Sequence, residues 1–150
     1  MEIVPPRGRD VNPADGARSG RRTGALRAAV ADGVLSGAPS TVHALARGGS
    51  PRTAVVAAGA LVGRPTVPAG ALVHAVVSLG WATVLAVLLP RRATVAAGAT
   101  AGLLIAALDL GVVGRRVPAI RDLPTGPQVA DHVAFGVIAA ATIARARRAG

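Results

Sequence analysis

The chain has 150 residues, 51% of them hydrophobic, with seventeen basic and seven acidic side chains, one Trp, one Phe, no Tyr and no Cys. Thirty-four alanines supply much of that apolar fraction, which argues against a conventional enzyme core of aromatic and branched side chains packed to ordinary density. The missing cysteines exclude a disulfide framework, a Cys-ligated metal and a thiol nucleophile.

The formal charge of +10 is carried by Arg alone. Two aromatic residues give no stacking platform for nucleic acid, and the arginines fall in ones, twos and threes between apolar runs. That spacing is the pattern of a membrane protein with basic loops.

Residues 1–23 hold three Pro, three Gly, five Arg and three acids, with few large apolar side chains, and read as a disordered basic arm. Four apolar stretches follow and form a single membrane domain over 24–150. The first, 26–46, contains Arg27, Asp32 and Pro39 and is the least apolar. Arg21 and Arg22 ahead of a run ending Ala44, Leu45, Ala46 also fit an export signal, but Asp32 interrupts the run and no soluble domain follows. Next comes 53–63, too short to cross a bilayer and better taken as an interfacial or re-entrant helix.

The second span, 69–89, lies in a window from Pro65 to Pro90 without a single charge. As a helix its 21 residues extend roughly 30 Å, about the hydrocarbon thickness. The third, 93–113, follows after only Pro90, Arg91 and Arg92, which predicts a tight helical hairpin with a basic turn. The fourth, 127–144, ends in the basic tail RARRAG. The expected fold is therefore all-α and polytopic, with four transmembrane helices plus a short helix after the first. With the amino terminus inside, ten arginines fall on the inner side and six on the outer, which places both termini in the cytoplasm and the protein in the plasma (inner) membrane.

Small residues recur four apart in every span: Gly33 and Gly37, Ser78 and Ala82, Gly98 and Gly102, Gly136 and Ala140. Such spacing lets helix backbones approach closely in lipid, although an Ala/Gly-rich chain also produces it by chance. Trp81 falls mid-span and reads mainly as a space-filler.

Threading and position together put His43, His74, Asp109, Asp131 and His132 in one layer, roughly 5 to 8 Å below the outer boundary. Three imidazoles and two carboxylates are ligand types for Zn²⁺ or a proton-linked path. The plainer reading is that these residues pair with one another or with Arg115 and Arg116, and cap helix ends, because no close metal-ligand motif is present. Asp32, nearer the inner side, is a secondary candidate. No P-loop, nucleophile elbow or paired Glu occurs, so no catalytic residue, enzyme activity or cofactor is expected.

The motifs GVLSGAPSTVHALARG, HAVVSLGW, ALDLGVVGRRVPAIRDLP and QVADHVAFG resemble those of a group of small, uncharacterised four-helix integral membrane proteins of high-GC, actinobacterial-type bacteria. The resemblance covers residues 24–145 and implies a membrane location and the four-span layout, with no activity, substrate or site residue attached. The expected function is a structural, accessory or interaction component partnered with the lipid bilayer, with self-association or another membrane protein open and nucleic acid excluded. The alternative is a small transporter or channel subunit whose His/Asp layer binds an ion or proton.

Overall fold

The computed structural model describes residues 36–90, 92 and 95–148. The basic arm, residues 26–35 of the first expected span, Asp32 and Gly33 lie outside the described residues. In chain order the elements are α1 (Ala38–Ala46), α2 (Arg52–Gly59, continued by a 3-10 turn to Val62) and α3 (Val67–Leu88). They continue with α4 (Val95–Leu108), a π turn (Asp109–Val113), a 3-10 turn (Gly114–Arg116), α5 (Pro118–Arg121) and α6 (Thr125–Arg148). No strand occurs among the described residues.

Three helical stretches are long and apolar enough to cross a membrane: Val67–Leu88, Val95–Arg116 and Thr125–Arg148. The sequence reading of four is corrected to three among the described residues. The difference lies in residues 26–46, of which 36–46 are described and hold the nine-residue α1. At about 1.5 Å per residue α1 reaches roughly half of one bilayer core. Its start is set by Gly37 and by Pro39 in its first turn, where the ring is tolerated but cannot continue a preceding helix.

The start of α3 combines two helix signals. Thr66 has extended backbone, its Oγ1 accepts from the Ala69 N–H at 3.4 Å, and a proline sits in the first turn. At the other end Leu89 is extended, as the residue before Pro90 should be. The charge-free run between those two signals leaves nothing to interrupt 22 helical residues.

The most extensive helix–helix contact among the described residues is the antiparallel crossing of α4 and α6. A Cβ on Gly98 would lie 2.5 Å from the Gly136 carbonyl oxygen and 2.8 Å from the Ala140 methyl. One on Gly102 would strike the His132 carbonyl oxygen, and one on Gly136 the Gly98 carbonyl oxygen. Two of the four-spaced pairs thus meet each other, backbone against backbone. A second crossing of the same kind joins α2 to α3, where a Cβ on Gly70 would overlap the Val55 carbonyl oxygen.

By contrast, α3 reaches the other long helices through side chains. Leu85 and Leu89 pack with Ile105, Phe135, Ala139 and Ala140, flanked by Trp81, Ala82 and Ile143. At the same end the Arg147 guanidinium donates to the carbonyl oxygens of Ala86 at 2.8 Å, Leu89 at 3.2 Å and Pro90 at 2.8 Å. These are the acceptors that the end of α3 leaves without intrahelical donors. The short helices gather at the opposite end, α1 against α6 and α2 against α3 and α5.

The apolar surface is turned outward. Leu72, Val76, Val87 and Leu104 are each more than 60% exposed, and only 6% of the most apolar window of α3 is buried. In water such a surface would be far larger than a soluble monomer sustains; in lipid it is the expected exterior.

The crossing makes a direct prediction. Gly102→Leu drives a side chain into the α6 backbone and should destabilise the bundle by about 1–3 kcal/mol. A Cβ at Gly80 meets nothing within 4 Å, so Gly80→Leu should leave stability nearly unchanged. Thermal unfolding of the two variants in detergent, read against the parent chain, checks the contrast.

Candidate functional site

Inside the three-helix bundle one carboxylate collects two donors. Asp109 stands where α4 passes into its π turn, and its Oδ2 accepts from Trp81 Nε1 at 3.3 Å. The same oxygen lies 3.4 Å from His132 Nε2. These are long contacts, and each comes from a different helix, so the three side chains tie α3, α4 and α6 together. Widening a helix by one residue per turn turns the following side chains through a new angle, and π turns recur at functional sites for that reason.

The proton inventory of the pair follows from the third contact. His132 Nδ1 lies 2.7 Å from the Gln128 carbonyl oxygen, one turn back on α6. A carbonyl only accepts, so Nδ1 carries a hydrogen. A neutral imidazole then has a bare Nε2, which cannot meet a carboxylate oxygen favourably. The Asp109 oxygen accepts from Nε2 where that nitrogen carries a hydrogen. Gln128 is itself held, its amide donating to the carbonyls of Leu123 and Pro124 at 3.4 Å each.

The five residues expected in one layer have different surroundings. Asp109 and His132 are joined, with Trp81 as their third member. Asp131, the immediate neighbour of His132, serves another element: its Oδ1 accepts from the Ser40 backbone N–H at 2.8 Å. That N–H is in the first turn of α1, which has no side-chain cap of its own, so a carboxylate from α6 takes the capping role. His43 is half-buried on α1 and His74 is exposed on α3. Among the described residues no group of three or more His, Cys, Asp or Glu is placed to hold a metal ion.

The sequence reading missed the part played by Trp81. Its signal was available: an indole N–H placed mid-span needs an acceptor, and few carboxylates lie within the apolar stretches.

Beside the site, between the end of α4 and the α5–α6 connection, opens a cleft of about 440 Å³. Its walls include Leu103, Ala106 and Leu110, with Arg115, Arg121 and Gln128 toward the helix ends.

Comparison with protein-family models, with curated proteins and with solved structures finds no match. The fold and site together define, among the described residues, an all-helical chain with three apolar helices of spanning length and a part-buried Trp–Asp–His cluster.

The α1 cap is open to test. Asp131→Ala should cost about 1 kcal/mol and speed amide exchange across residues 40–46, whereas Asp131→Asn keeps an acceptor and should restore most of the protection. Hydrogen exchange with residue-level readout measures both. Equal exchange in parent and Asp131→Ala chains would show that the contact carries no stability.

Proposed function

We propose that the chain is an integral membrane protein of the plasma (inner) membrane that acts as a structural, accessory or interaction component and catalyses no reaction. The observation that carries this reading is the inverted polarity of the bundle: large aliphatic side chains outside, and Trp81, Asp109 and His132 turned toward one another within. The cluster serves as a clasp. Helices in lipid gain little from burying apolar surface against one another, so close crossings and interhelical hydrogen bonds set their arrangement. The broad uncovered face of α3 leaves room for lateral association with a second copy or another membrane protein.

Sidedness rests on the arginines. The end where α3 stops and α6 finishes carries Arg92, Arg145, Arg147 and Arg148, and in our reading it faces the cytoplasm. Reporter fusions after Arg92 and after Gly150 should both read cytoplasmic, and fusions near Ser50 and Leu123 external. A cytoplasmic signal at Leu123 reverses the orientation.

A second reading draws on the Asp109–His132 pair. A carboxylate and an imidazole in contact at a π turn are the parts of a proton-binding site, which favours a small transporter or channel subunit as the alternative. Proton flux into vesicles loaded with a pH-sensitive dye separates the two. For a structural clasp, vesicles with parent chain, Asp109→Asn or His132→Gln are as tight as protein-free vesicles. The variants then unfold more easily by about 1 kcal/mol. Flux in the parent that falls tenfold or more in Asp109→Asn would establish the transport reading.

A further inference from the structure

We infer that the cleft beside α4 is a binding site for one anionic phospholipid, its acyl chain lying along α4 and its phosphate meeting Arg115 and Arg121. The inference rests on the membrane placement proposed above. Three observations converge on this occupant. The lining is graded: Leu103, Ala106 and Leu110 lie toward the middle of the spanning stretch, and the two arginines toward its end. Twelve residues separate Leu103 from Arg115, roughly 18 Å along the helix. That is close to one leaflet of a hydrocarbon core about 30 Å thick. A ligand that fills the cleft is therefore one leaflet long, apolar for most of its length and negative at its head.

The charge at the rim is available. Arg115 is exposed at the last turn of its spanning stretch, where headgroup phosphates lie. Arg121 pairs with Asp122 at 3.1 Å, but both side chains are more than half exposed, so this pair is weak and exchanges readily for a phosphate. Asp122 is the one acidic group at this rim among the described residues. Basic pockets beside membrane helices take anionic headgroups by this chemistry. The floor supplies the room: Gly111 lines the cleft, and a Cβ there would meet nothing within 4 Å.

That empty space provides a variant that blocks the cleft without disturbing the bundle. Native mass spectrometry of the full chain in detergent, titrated with phosphatidylglycerol or phosphatidylcholine, reads lipid retention directly. We expect one phosphatidylglycerol to be retained at concentrations where phosphatidylcholine is not. Retention should fall about fivefold in Arg115→Gln and in Arg121→Gln, and be lost in Gly111→Leu with thermal unfolding unchanged. Soluble glycerol phosphate should not compete. Equal retention of both lipids, or retention unaffected by all three substitutions, overturns the proposal; full competition by glycerol phosphate overturns the lipid assignment in favour of a free phosphate ester. Alkaline carbonate extraction reads membrane insertion alone, so release of the chain to the supernatant marks failure of the placement and not of the cleft.

Discussion

The contact of the α4 backbone with that of α6 is the constraint on which the other arrangements depend. Gly98, Gly102 and Gly136 have no side chains to hold the helices apart, and each stands where a Cβ would collide with the opposing backbone. With that distance fixed, His132 is brought over the π turn at Asp109, and Asp131 is turned to the flank where α1 docks. Hydrocarbon solvent gives no reward for hiding leucine, so shape complementarity at atomic contact has to supply the cohesion. Alanine abundance then has a physical purpose: small side chains make flat helix faces.

The polar groups complete what packing begins. Trp81 is the link between α3 and the α4–α6 pair, and it works because its ring fills volume beside Leu85 while its N–H reaches Asp109. Asp131 caps α1 from another element, and Arg147 caps α3.

Much of this was legible in the residues, and what was not has identifiable causes. Charge-free length between Pro65 and Pro90 located α3, and the four-spaced glycines marked the faces of α4 and α6 that meet. Spacing alone did not reveal which pairs meet, since Ser78 and Ala82 carry the same pattern while α3 makes no glycine crossing with the other long helices. Gly59 and Gly70 form a crossing that the four-spaced pairs named in the expected spans did not mark. Depth along a helix follows from counting residues, but direction around its axis does not. His74 and Asp109 were therefore expected at one level, and the rotation that joins Asp109 to His132 depends on a π turn that no composition signals. In the described part of the first expected span, Pro39 falls in the first turn of α1, a position open to reading from the sequence.

The guanidinium of Arg147 also has a temporal meaning. It lies 58 residues beyond Leu89, whose carbonyl it holds. At a synthesis rate of about 5–20 residues per second, the end of α3 is made roughly 3 to 12 s before that arginine. For that interval the carbonyls of Ala86, Leu89 and Pro90 are without their Arg147 donor, and the last turn of α6 closes the end of α3 only when it has been made.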